Sequence, residues 1–327
     1  MYGIQVVEMP QDIRDKFERS QRFEWFALLY ILSAVFVLYL AKGASQAMKT
    51  AYLKAILGLI PGTIYLLTAR IANRPPNRRF AWGYHGAYTM GYALAAATLL
   101  GMGAFMFIDS SDSLLNRSYP TIPTVDILGV TVWSGWPMIA ALLWSAVPAF
   151  FLGRSTKSTA ETVRNKLLLA DAEMQIASFS SGVAAIVGIL GVGLGWWWAD
   201  AVAAIFISFS ILKDGFMNVR RAFNDALDQV PTNVRGDDVE PKVKDIEDCF
   251  ASMEWIERAS VRLRESGEAI LVEATVIPKD GAALLGDEIS SAREEVHNIH
   301  WCIQRVVIMP VDEFDQVEEW LASPPDE

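Results

Sequence analysis

Histidine and cysteine are scarce: the chain of 327 residues has three of the first and two of the second. Cys249 and Cys302 lie far apart and form no CxxC pair. They read as packed free thiols of a reducing compartment. A P-loop, a G-x-S-x-G elbow and an H-E-x-x-H helix are all missing, which reads as no enzyme and no cofactor. Basic patches with interleaved aromatics are missing too, so nucleic acid is not an expected partner. A cleavable signal is not expected, because residues 1–22 are charged ("IRDKFERSQR") and the first apolar stretch is long enough to span. There is no short-period repeat.

What is present is apolar residue in long runs. Hydrophobic residues make up 52% of the chain and mean hydropathy is +0.26, too high for an average soluble domain. Charge is segregated. From Asp237 to Glu327 there are 23 acidic and 8 basic residues, a net of −15, which leaves +5 of the chain's −10 for residues 1–236. The first part reads as a basic-rimmed membrane domain and the last as an acidic soluble one.

A membrane helix needs about 20 mostly apolar residues. Six such spans are predicted, at about 23–42, 50–69, within 80–108, within 127–153, and at about 167–190 and 198–217. The last two are split at "GVGLGWWWAD", where clustered glycines weaken a helix and tryptophans suit an interface. The links "RIANRPPNRR" and "RSTKSTAETVRNK" and the segment before the first span carry the arginines and lysines. Six alternating spans put all three on one side, so both termini are expected in the cytoplasm of a bacterial inner (plasma) membrane. Residues 110–129 then form a long outer loop. The expected boundaries are a cytoplasmic segment 1–22, a six-helix transmembrane domain 23–217 and a cytoplasmic domain 218–327.

The tail has its own periodicities. "EPKVKDIEDCFASM" reads as an amphipathic helix. "ASVRLRES", a turn at Ser266-Gly267 and "EAILVEATVI" read as a hairpin; "LLGDEISSAREEVHNIH" is helical and "CIQRVVIM" is a strand. The order αββαβ implies a small two-layer, ferredoxin-like α+β domain.

Six spans and an αββαβ tail resemble the cation diffusion facilitator (cation efflux) family. "RPPNRRFAWGYHGAYTMGYALAAATLL" resembles the family's linker into its third helix. "LLLADAEMQIASFSSGVAAIVGILGVGLGWWWADAVAAIFISFSIL" resembles its fifth and sixth helices, and "DQVP" its entry to the soluble domain. The resemblance implies a homodimeric antiporter that exports divalent metals in exchange for protons. It also implies a tetrahedral transport site made of two His/Asp-xxx-Asp pairs, on helices two and five. Such a pair works because ligands at i and i+4 share a helix face.

In this chain the implied positions carry other residues. The helix-two pair falls on Lys54 and Gly58, and the helix-five pair on Met174 and Ser178. Between Lys49 and Arg70 there is no His, Asp or Glu. The linker's metal positions fall on Asn77, Phe80 and Tyr84, with His85 one step away. The soluble domain's fall on about Ala259, Glu288 and Met309. The expectation is an atypical member whose divalent-metal site is replaced by a polar cluster centred on Lys54. The cluster's candidates are Lys54, Gly58, Asp171, Glu173, Met174 and Ser178.

An ammonium in an apolar span must be paired, neutral or hydrated. Asp171, Met174 and Ser178 share one face of helix five, so a Lys54–Asp171 ion pair is expected, with Ser178 as a further hydrogen-bond partner. Three roles stay open: a structural staple, a moving charge in a transporter, or a lysine snorkelling to the outer face. Glu173 points elsewhere. His297 and His300, with Glu294, are a weak metal candidate against the plainer reading of a solvated helix end. Asp200 reads as a helix-start residue, Lys213 and Asp214 as interface anchors, and Met102 and Met106 as packing. The function expected is secondary transport of a cation. The alternatives are a non-transporting structural or regulatory homologue, paired with an active paralogue, and a transporter of a non-metal cation. The lipid bilayer and a second copy of the chain are the expected partners.

Overall fold

The computed structural model describes residues 10–72, 74, 76–81, 83–117, 122–127, 130–236, 238–279 and 286–322. Its residues divide into two units, one of membrane-spanning helices and one holding most of the tail.

Among the described residues six helical stretches are long and apolar enough to cross a membrane. The first is α1 (Gln11–Ala41). The second is interrupted: α2 (Gln46–Leu57) and α3 (Leu59–Ala72) meet at Gly58. Pro61 explains the break, since it has no N–H for the Leu57 carbonyl and its ring crowds that group. The third is α4 (Gly86–Leu115). A short antiparallel hairpin, β1 (Thr124–Ile127) and β2 (Val130–Trp133), precedes the fourth helix, α5 (Gly135–Thr162). The fifth and sixth are α6 (Lys166–Gly193) and α7 (Ala199–Ala226), joined at Leu194–Trp198 with Gly195 at φ 91°. Part of the expected outer loop, 118–121 and 128–129, lies outside the described residues.

Several helix ends differ from expectation. α1 starts at Gln11 and α7 runs to Ala226, because a helix does not stop where its apolar stretch stops. The third and fourth helices lie later in the chain than the apolar windows suggested.

Small residues let the helices close on one another, as membrane helices require when apolar surface alone gives no preference over lipid. A Cβ on Gly103 of α4 would stand 2.8 Å from the Leu212 nitrogen of α7, and one on Gly215 of α7 would stand 2.6 Å from the Leu100 nitrogen of α4. The two backbones therefore touch at both points. On α5, a Cβ at Gly153 would meet the Ala172 carbonyl of α6 at 2.6 Å. Large apolar side chains such as Phe26, Phe36, Met90 and Phe206 face outward, as a lipid-facing surface demands.

The head of α2 is held by a residue from another helix. Asp200, in the first turn of α7, accepts from Ser45 Oγ at 2.7 Å, from the Gln46 amide at 2.5 Å and from the Ala47 amide at 3.2 Å. Asp200 is thus a helix-start residue whose carboxylate also caps α2, where orphan N–H groups and the helix dipole favour an anion.

The tail unit contains α8 (Pro241–Ser252), β3 (Ile256–Ser266), β4 (Ala269–Pro278), α9 (Gly286–Ile299), β5 (Ile303–Pro310) and α10 (Gln316–Ala322). The sheet order is β3-β4-β5, with β3 antiparallel and β5 parallel to the central β4. The hairpin turn holds Gly267 and Glu268, one step beyond the expected Ser266-Gly267. Gly267 sits at φ 66° at the first central position, as a two-residue turn of this kind requires. The parallel strand needs a crossover, which α9 supplies. Ile246, Phe250, Ile270, Val272, Val276 and Val296 form the buried centre. The αββαβ order is as expected, and α10 is an addition to it.

Candidate functional site

Lys54 is buried, 5% exposed, in α2. Its Nζ donates to the Ala177 carbonyl at 3.1 Å and to the Ser181 hydroxyl, both on α6. These bonds hold the amine inside the helical unit, so it does not snorkel to the outer face.

The expected pair with Asp171 is not made. Asp171 stands six and ten positions before the residues that meet Lys54, roughly 9–15 Å back along the helix at 1.5 Å per residue. Its Oδ2 instead accepts from Gln175 Nε2 one turn on. Ser178 is not a partner of Lys54 either, because its hydroxyl donates to the Met174 carbonyl at 2.9 Å, the usual local alternative for a helical serine. Gly58 marks the α2–α3 break, and its N–H donates to the Lys54 carbonyl at 3.0 Å.

Lys54 opens onto a cavity of about 300 Å³. α6 contributes Ala170, Glu173, Met174 and Ala177 to its wall, α4 contributes Leu99, and α7 contributes Ile211, Asp214, Met217, Asn218 and Arg221. Of the six expected cluster residues, Lys54, Glu173 and Met174 therefore share a cavity, while Gly58, Asp171 and Ser178 do not line it. The carboxylate whose charge acts on Lys54 is Asp214, and Asp214 in turn feels Lys54, Lys213 and Glu173. Glu173 reaches Lys157 of α5 at 3.4 Å. Asn218 is positioned by the Tyr92 hydroxyl, which donates to its Oδ1 at 3.0 Å. The wall thus carries charges of both signs, two thioethers and a fixed amide.

Among the described residues no three His, Cys, Asp or Glu side chains gather as a metal-binding group. His297 is exposed. His300 Nδ1 lies 3.0 Å from the Cys302 thiol. His85, in the linker, is partly buried, and that burial lowers its imidazole pKa.

Ser181 was missed in the sequence, although it follows Met174 by seven positions on the same face. Asp214 was read only as an interface anchor. Met217 stood at the expected end of the sixth span and Asn218 and Arg221 beyond it, where no signal marked them as lining.

A family model described as "Cation efflux transmembrane domain" matches residues 23–225. A protein of Paramagnetospirillum magneticum (strain AMB-1) named "Putative transporter MamV" is 25% identical over 205 residues. That match covers 63% of this chain and 57% of the relative, so the chain spans little more than half of the relative's length.

Proposed function

The chain belongs to the cation efflux family, and from that premise we propose that it is a secondary transporter for a non-metal or monovalent cation, carried through the Lys54 cavity. The observation that carries the reading is the make-up of that cavity. It has the carboxylates of Glu173 and Asp214, the thioethers of Met174 and Met217, the amide of Asn218, the guanidinium of Arg221 and the amine of Lys54, the residue that the sequence resemblance aligns with a metal ligand. The two carboxylates share the space with two fixed cations, Lys54 and Arg221, and Glu173 is paired with Lys157, which leaves a poor set for a hard or borderline divalent ion. The set suits a cation held by charge and contact. Similarity to a relative whose name says transporter supports the same direction.

In this reading Lys54 is a resident cation. It rests on the Ala177 carbonyl and the Ser181 hydroxyl at the edge of the cavity and yields when a mobile cation enters. The basic links between spans support cytoplasmic termini by the positive-inside rule. A homodimer in a bacterial plasma membrane, exchanging the cation for protons, completes the proposal.

Proteoliposome flux tests it, with monovalent, organic and divalent cations as probes. The expected result is flux of a monovalent or organic cation that falls roughly tenfold to a hundredfold in Asp214→Asn, the cost of losing a charge-assisted contact of about 1.5–3 kcal/mol. Zinc, manganese, iron(II) and cobalt should show no stoichiometric site by titration calorimetry. Background flux for every cation, unchanged by Lys54→Ala, would instead make the chain a scaffold that pairs with an active paralogue.

A further inference from the structure

Away from the Lys54 cavity, a second polar group lies wholly inside the helical unit. Glu24 of α1 and Asp171 of α6 are both 0% exposed, and Asp171's charge acts on Glu24. Both oxygens of Glu24, Asp171 Oδ1 and Gln175 Oε1 have no hydrogen-bond partner among the described residues. Gly62 of α3 leaves room for the Glu24 carboxyl, since a Cβ there would collide with Oε1. None of these residues lines the Lys54 cavity.

Of the titratable groups on neighbouring helices, Tyr65 of α3 is hydrogen-bonded to Ser20 and its ring meets that of Tyr88 of α4, Lys54 of α2 bonds Ala177 and Ser181, and Lys157 of α5 bonds Glu173 of α6; Arg164 is buried just before the start of α6. The cluster therefore has four open acceptors, against one amide, that of Gln175, which gives an N–H to Asp171 Oδ2.

Two buried carboxylates that feel each other do not both stay ionised. Each bare charge loses its hydration on burial, and their repulsion adds to that cost. A proton removes one charge and supplies the missing donor. A metal or sodium ion fits less well. Helical membrane proteins draw sodium ligands from unwound backbone carbonyls, whereas α1 and α6 are unbroken at Glu24 and Asp171. We propose that Glu24 and Asp171 form a proton-binding site between α1, α3 and α6, separate from the Lys54 cavity. The ligand is H⁺, held on one carboxyl of the two, with Gln175 steadying Asp171. The site does not rest on the transport reading: a chain that carries nothing through the Lys54 cavity would still hold this proton.

Infrared spectroscopy of the full chain in lipid tests it. A protonated carboxylic acid has a carbonyl stretch that carboxylates lack and that shifts in D₂O. The expected result is such a band at neutral pH in the wild type, lost in Glu24→Gln/Asp171→Asn and kept in Asp214→Asn. Each single variant is read in parallel, so that a double variant that fails to fold leaves the test intact; Glu24→Gln should diminish or move the band. No acid band in the wild type, a band unchanged in both single variants, or a band abolished when sodium chloride replaces choline chloride would overturn the proposal, the last by marking a sodium site.

Discussion

The ammonium of Lys54 on α2 is held by the hydroxyl of Ser181 on α6, with the Ala177 carbonyl as its second acceptor at 3.1 Å. A buried cation with two acceptors depends on both. Ser181→Ala should therefore destabilise by about 1–3 kcal/mol, the cost of a buried polar group losing a partner. Thermal unfolding in detergent reads it. In a Lys54→Met background the same change should cost much less, because no ammonium is left to orphan. Equal costs in the two backgrounds would mean that the bond contributes nothing.

Asp200 ties the head of α2 to the head of α7 through three hydrogen bonds. Asp200→Ala removes all of them and should cost about 2 kcal/mol or somewhat more, the upper range for a lost helix cap. Ser45→Ala loses the bond to Asp200 and the one that Ser45 Oγ accepts from the Met48 amide at 3.1 Å, yet should cost less, since the Gln46 and Ala47 amides keep their charged acceptor. A ranking in the opposite order, by the same unfolding measurement, would show that Ser45 is the main cap.

The six spans and the αββαβ tail were legible because their signals are collective. A run of twenty apolar residues, or a strand alternating over eight, survives errors at single positions. Lys54 was legible for the opposite reason, as one charge in an apolar stretch. Its partner was not. Asp171 lies on a suitable face of α6, but which turn of α6 meets Lys54 depends on how far the helices slide along one another. That is set by the packing of α2 on α6, which a single sequence does not display. Glu24 escaped notice because hydropathy placed it at the edge of the first span. With α1 beginning at Gln11, it is well inside a helix. The break at Gly58 could have been read from Pro61, but an apolarity count does not register a missing N–H.

That break gives a third prediction. Pro61→Ala restores an N–H that can bond the Leu57 carbonyl and removes the ring that crowds it. α2 and α3 should merge into one straighter helix, and amides near residues 57–61 should exchange with D₂O more slowly. Faster exchange there would mean that something other than Pro61 makes the break.

The tail offers a pH dependence. Burial first, and the Glu295 carboxylate second, raise the pKa of the Cys249 thiol. Both favour the neutral thiol in the folded state. The contribution to stability is therefore present below the unfolded thiol's pKa, about 8.5, and is lost as pH rises through the higher folded value. Alkylation follows the thiolate, so in the folded chain it should become rapid only at a pH above that of an ordinary cysteine. Glu295→Gln removes the second cause and should move the profile to lower pH. Cys302 is fully buried and should stay unmodified until the tail unfolds, which intact-mass counting of adducts will show. A Cys249 profile at or below that of a free cysteine, or one that Glu295→Gln leaves in place, would show that the pair is not coupled as its positions imply.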